Sequence, residues 1–198
     1  MSMTEPRTTE VVPLAHPATP ADLLSLPETV IGEIIDGTLY VSPRPAGRHA
    51  RIITSVAFDL YGPFDRGLSG PGGWWILSEP GIDLPAAPEI VPDVAGCRKE
   101  TLADVSGVIN AVPDWVCEVL SPGTRRYDLH TKRPYYARVG VPHMWMVDPE
   151  TQLLTASRNV DGHWLEIGVW GADEHVRVAP FEAVEIDLSY WWRATNPH

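Results

Sequence analysis

Positive charge is scarce in this sequence: 15 Lys and Arg stand against 26 Asp and Glu over 198 residues, a net charge of −11. A chain so acidic argues against broad, sequence-independent affinity for nucleic acid, which rests on neutralising phosphates. Cysteine is scarce too. Cys97 and Cys117 each sit in an apolar, strand-like segment, so two reduced, buried thiols are expected instead of a disulfide. No apolar run approaches the ~20 residues a membrane span needs. The first residues, MSMTEPRTTEVVPLAHPATP, lack the basic start and long apolar segment of a secretory signal. These absences lead to the expectation of a cytoplasmic protein with no membrane partner. A glycine-rich phosphate loop, a Cys/His metal cluster and a Gly-x-Ser-x-Gly turn are missing as well, which removes most common enzyme classes.

What the chain does hold is an ordered alternation of short elements. Residues 1–18 are polar, proline-punctuated and without period, and read as a flexible tail ahead of one domain over 19–198. Thr19-Pro20 before ADLLSLP predicts a short helix ended by Pro27. GEIIDGTLYVSP predicts a hairpin turning on Asp36-Gly37. In GRHARIITSVAFDLYGPF, Ile52, Ile53, Val56, Ala57 and Leu60 recur at helical spacing. WWILSEPGIDL, EIVPDVAGC and DWVCEVLS each read as a strand. RRYDLHTKRPYYARVG follows as a helix of about four turns, which Pro134 should disturb. HMWMVDP closes that unit as a strand. QLLTASRNVDGHWLEIGVW is a second hairpin on Asp161-Gly162, and VRVAPFEAVEIDL adds further strand. The class is α/β (α+β): a mixed β-sheet flanked by helices, with a β-rich C-terminal part.

Three side chains stand out. Glu118 shares one face of its strand with Val116 and Leu120. A carboxylate on an apolar face survives by pairing or by binding a cation, unless it simply lies at a solvated strand end. Asp93 enters from a second strand, and two carboxylates converging from neighbouring strands suit a hard cation such as Mg²⁺. Lys132 lies on the helix that returns from the Glu118 strand. Glu118 is ~10 Å back from the strand end and Lys132 ~10 Å along the helix, so the two can meet. The plainer alternative pairs Lys132 with Asp128 on the helix surface, four residues apart. The plain reading of Glu33 is a hairpin residue, and that of His49 a capping or packing residue at a helix start. Arg125 and Arg126 either sit on phosphates or stay solvated at the first helical turn. They belong to the locally basic stretch Glu118 to Arg133, whereas His143 to His198 holds nine acids against three bases. The tryptophans read as core and interface in preference to sugar-binding platforms, and the apolar strand ends with Trp191-Trp192 suggest a homodimer.

EIIDGTLYVSPRP, the histidine of RHARII, VPDVAG, PDWVCEVLSPGTRRYDLHTK and YYARVGVPHMWMVDP, in this order from Glu33 to Pro149, resemble a large bacterial family of restriction-endonuclease-like proteins. That family, long catalogued as a domain of unknown function, belongs to the PD-(D/E)XK nuclease superfamily. The resemblance implies a mixed sheet with flanking helices and an acidic pair, Asp93 and Glu118, holding Mg²⁺ or Mn²⁺. Glu33 matches the family's early acidic position and would complete the metal set. The superfamily lysine usually follows two residues after the second acid, where this chain has Leu120; Lys132 on the next helix corresponds to it. The implied activity is metal-dependent hydrolysis of DNA phosphodiester bonds, with Arg125, Arg126 and His49 toward the nucleic acid. Two other readings stay open: a non-catalytic scaffold or nucleic-acid-binding module on the same fold, which the net charge favours, and a tryptophan-lined carbohydrate-binding module.

Overall fold

The computed structural model describes residues 7–45 and 47–193. A short strand β1 (Glu10–Val12) and a one-turn helix α1 (Pro20–Leu23) precede the first hairpin, β2 (Val30–Ile35) and β3 (Thr38–Pro43). Its turn holds Asp36 and Gly37 at φ 51° and 69°, the left-handed conformation those residue types tolerate best. Helix α2 (Gly47–Leu60) runs on into a π turn, Tyr61–Asp65. Strands β4 (Trp74–Ser78), β5 (Ile82–Leu84), β6 (Ala87–Ile90), β7 (Val94–Arg98) and β8 (Trp115–Val119) follow. The next helix is α3 (Arg125–Tyr127), a π turn (Asp128–Lys132) and α4 (Arg133–Val139) in unbroken succession, ended by Gly140 in the left-handed region. Then come β9 (His143–Asp148), the hairpin β10 (Leu153–Val160) and β11 (His163–Gly171), the two-residue strands β12 (His175–Val176) and β13 (Ile186–Asp187), and helix α5 (Ser189–Trp192).

The strands form a five-stranded sheet, β1-β3-β2-β6-β5, and a six-stranded sheet, β11-β10-β9-β8-β7-β4. Only β8 and β9 run parallel within the larger sheet, because the helix of α3 and α4 carries the chain back between them. The expected mixed sheet with flanking helices is therefore the architecture. One face of the larger sheet packs on α2 and α5 through an aromatic core. Phe181 stands at its centre, with ring centroids 4.7–5.6 Å from Phe64, Trp74, Trp115 and Trp145. The other face packs on α4 and on the smaller sheet through a second core that includes Val116, Leu120, Tyr135 and Tyr136.

Several segments depart from the sequence reading. The stretch read as a flexible tail contains β1, paired antiparallel with β3; its Met1 to Pro6 lies outside the described residues. WWILSEPGIDL is two strands in different sheets, broken at Glu79, whose φ is 48°. EIVPDVAGC likewise splits into β6 and β7, because Pro92 has no N–H to give a ladder. VRVAPFEAVEIDL contributes only the short β12 and β13, with irregular chain between them. Pro134 does not end its helix. It lies at the start of α4, and the wide turn just before it accommodates the missing N–H. Trp74, Trp115, Trp145, Trp191 and Trp192 are buried, so these five offer no sugar-binding platform and Trp191-Trp192 offers no interface.

Candidate active site

β8 is buried on both faces. Trp115, Cys117 and Val119 enter the aromatic core, while Val116 and Leu120 enter the core between the sheets. Glu118 lies on that second face and is 1% exposed, so it is no solvated strand end. Its partner comes from the returning helix. The Lys132 ammonium lies 2.8 Å from Glu118 Oε1 and 3.4 Å from Glu33 Oε1, and donates to the Val91 carbonyl at 2.7 Å. Three oxygens thus surround a group with three N–H hydrogens. One helical turn on, the Tyr136 hydroxyl donates to the same Glu118 Oε1 at 2.8 Å. Val91, in the break between β6 and β7, also donates its N–H to Glu33 Oε1 at 2.8 Å. The strand break that periodicity did not reveal is what lets one residue's backbone hold both ends of the Lys132–Glu33 pair.

Asp93 sits at the start of β7, where its Oδ2 accepts the Val119 N–H at 2.6 Å and its Oδ1 lies 3.0 Å from His49 Nε2. Its orientation is fixed by β8 on one side and α2 on the other. Lys132 is not paired with Asp128 on a helix surface. Asp128 is itself buried, and its carboxylate accepts from the Thr124 hydroxyl at 2.7 Å.

These groups line one pocket of about 300 Å³, whose walls include Glu33, His49, Asp93, Glu118, Asp128 and Lys132. Of the residues singled out from sequence, Asp93, Glu118, Lys132, Glu33 and His49 come together there. Arg125 and Arg126 do not line it; Arg125 pairs with Asp148 at 2.9 Å instead. The arginines on the pocket wall are Arg7 and Arg44. Nothing in the sequence flagged Arg7, because it precedes a three-residue strand with no readable period. Arg44 follows the first hairpin directly, and that position was its one available signal.

Five carboxylates line this pocket, Glu33, Glu79, Asp93, Glu118 and Asp128, against the Lys132 ammonium, the His49 ring and the guanidinium groups of Arg7 and Arg44. Burial raises the Glu118 carboxyl well above the usual range, Lys132 works against this, and the charges of Asp93 and Asp128 add to it. Burial also pushes Asp128 up to about 7, again opposed by Lys132 and reinforced by Asp93. For Lys132, burial alone would disfavour the ammonium; Glu118, Glu33, Asp128 and Asp93 outweigh it and hold the pKa above the ordinary lysine value. His49 follows the same logic, burial lowering it and the Asp93 hydrogen bond and charge raising it further. The pocket carries more negative charge than its own cations neutralise. It therefore has an unusual appetite for a proton or for a metal ion.

A direct consequence concerns Asp128. Its folded pKa of about 7 lies above the ordinary aspartate value. Its stabilising contribution is therefore present at low pH and is lost as pH rises through the folded value. In EDTA, urea unfolding of the wild type is expected to lose up to ~1.4 kcal/mol per pH unit from this group between pH ~4 and ~7. Asp128→Asn removes that slope; parallel stability profiles for the two proteins would show that Asp128 does not titrate there.

The donor set suits a hard divalent cation. Among the described residues no three His, Cys, Asp or Glu side chains gather closely enough to hold a metal by themselves. Asp93 and Glu118 both bring carboxylates to the pocket. Two carboxylates, with water completing the shell, are a usual arrangement for Mg²⁺.

The model of the family described as "Uma2: Putative restriction endonuclease" matches residues 20–189. Among solved structures, one described as "a putative nuclease belonging to DUF820", from Anabaena variabilis ATCC 29413, is similar to this chain with a TM-score of 0.68. The two share 21% sequence identity, and the match covers 89% of this chain and 98% of that one, a likeness of fold. Among curated proteins none matches.

Proposed function

The chain belongs to the Uma2 family, and from that premise we propose that its acidic pocket is the active site of a Mg²⁺-dependent DNA endonuclease. The observation that carries the proposal is the surplus of carboxylate over cation around Asp93 and Glu118. When bound, the divalent ion would be held by these two carboxylates and would supply Lewis-acid chemistry, neutralising charge on the phosphate and making water more acidic.

The chain's own residues do the rest. Asp93 is aimed by the Val119 N–H, and Glu118 by Lys132 and Tyr136. Because the Lys132 ammonium is already ringed by three oxygens, it serves as a positioning residue for Glu118 more than as a donor to substrate. Arg7 and Arg44 stand at the pocket wall where a phosphate backbone would approach, and supply the positive charge that the −11 chain otherwise lacks. Purified protein is expected to nick supercoiled DNA in Mg²⁺ or Mn²⁺ and to leave it intact in EDTA. Calorimetric Mg²⁺ binding without cleavage of DNA or RNA would instead favour the non-catalytic nucleic-acid-binding module.

A further inference from the structure

Helix α2 connects two cavities. His49, near its start, lines the acidic pocket, as does Arg44 just ahead of it. Its other end, with the π turn Tyr61–Asp65 and the chain from Val184 to Tyr190, walls a second cavity of about 1010 Å³. Drug-sized ligands fill ~300–1,000 Å³, so this one has room for more than a single small ring. Phe58, Tyr61 and Tyr190 line it at 78%, 48% and 51% exposure. Scattered exposed rings need no explanation; three gathered in one cavity do.

The segment between the two cavities is basic in an otherwise acidic chain. From Arg44 to Arg66 there are four arginines and two aspartates, against a net charge of −11 for the whole. Both aspartates are engaged. Asp59 accepts from the Trp191 indole at 2.7 Å, and Asp65 accepts the Ile76 N–H at 2.9 Å and lies 3.2 Å from the Lys99 ammonium. The arginines are held differently. Arg44 donates to the Glu28 carbonyl, Arg48 to the Pro149 carbonyl and Arg51 to the Ser55 hydroxyl. Neutral acceptors orient a guanidinium and leave its charge uncancelled, whereas Arg125 and Arg138 are paired with Asp148 and Asp36. At ~100° per residue, Arg48, Arg51 and Phe58 fall within ~80° of one another on α2, opposite the buried Ile53, Val56 and Leu60.

Resting on the nuclease reading of the acidic pocket, we propose that this face of α2 is the track for single-stranded DNA running out of that pocket. Phosphates lie on Arg44, Arg48 and Arg51, and unstacked bases enter the second cavity against Phe58 and Tyr61. From His49 to Phe58 the helix advances ~14 Å, the rise of about four stacked nucleotides at ~3.4 Å each. On the opposite wall Glu185 and Asp187 stand against His175, at 3.4 Å and 3.9 Å. Those two carboxylates keep phosphates to the α2 side, so that only bases reach across. Arg193, 3.7 Å over the Tyr190 ring, adds a cation at the far end. A duplex holds its bases stacked inside and cannot use these rings; a single strand can, whatever its sequence. Rings give affinity without charge, which suits a chain short of lysine and arginine.

Fluorescence anisotropy of the full chain with a labelled oligo(dT) of ~20 nucleotides, longer than the ~4–16 such sites span, tests this in EDTA, where nothing is cut. Wild type is expected to bind it more tightly than a duplex of equal length. The double variant Arg48→Ala, Arg51→Ala should bind at least ~10-fold more weakly and lower the salt slope by ~1.4, at ~0.7 per phosphate. Phe58→Ala should weaken binding ~10-fold with the slope unchanged, and Phe58→Trp, which keeps a ring, should restore it. Arg158→Ala, which removes the same charge from β10, should stay within ~2-fold of wild type. No binding of oligo(dT), equal weakening by Arg158→Ala and the α2 pair, Phe58→Ala as tight as wild type, or tighter binding of the duplex overturns the proposal. Cleavage in Mg²⁺ by a protein whose binding ignores these substitutions overturns the track alone; absent cleavage with the expected binding overturns the nuclease reading alone. Should the double variant fail to fold, Phe58→Ala against Phe58→Trp, at a side chain 78% exposed, decides.

Discussion

Replacing Lys132 with methionine is expected to cost ~3–5 kcal/mol of folding stability. Methionine keeps most of the aliphatic volume and removes only the charge, so the loss measures the ion pairs. Without the ammonium, Glu118 and Glu33 face each other across a buried site, with 2.8 Å and 3.4 Å contacts to a cation removed. Glu118, already raised by burial, rises further above its unfolded value. A carboxyl with a raised folded pKa stabilises the fold at low pH and loses that contribution as pH rises. The deficit against wild type should therefore be smaller at pH 5 than at pH 8, as read by urea unfolding. Were Lys132 a surface partner of Asp128, the loss would be a few tenths of a kcal/mol and nearly independent of pH.

Glu118→Gln is expected to do the opposite: keep the fold and remove the activity. Glutamine is isosteric, its amide oxygen can still accept from the Tyr136 hydroxyl, and Lys132 retains Glu33 and the Val91 carbonyl. Stability should change by less than ~1 kcal/mol, since losing one charge from a crowded acidic pocket offsets losing one ion pair. Cleavage of DNA in Mg²⁺ should fall ~10³-fold, and calorimetric Mg²⁺ affinity should fall with it. Cleavage by Glu118→Gln at the wild-type rate would falsify the assignment of Glu118 to the reaction. The two variants separate the roles: Lys132 supports the fold through the carboxylate that Glu118 is proposed to contribute to the chemistry.

Local chemistry made some of this legible in the sequence. Asp36-Gly37 and Asp161-Gly162 announced both hairpins, because few residue pairs accept the required φ angles. The strand and helix rises placed Glu118 and Lys132 at one depth, and a 2.8 Å contact is what the structure has there. Other features depended on tertiary partners. Asp128 looked like a surface residue because its spacing from Lys132 fits an ordinary ion pair, and only the packing of the helix against both sheets buries it. β1 exists because β3 offers it an edge, not because its three residues prefer a strand. The breaks at Glu79 and Val91 are set by a change of sheet, which periodicity within one segment does not record.

The wide turn over Asp128–Lys132 has a consequence for how this protein can vary. An α-helix advances ~100° per residue, so a turn with an extra residue resets the rotation of everything after it. Lys132 and Tyr136 reach Glu118 only in that reset frame. Deleting one residue beside the exposed His130 would leave every pocket side chain in the sequence and swing part of the helix off its target. The site should tolerate many identities at positions 130 and 131 and no change in their number. For this segment, chain length itself sets the geometry of the pocket.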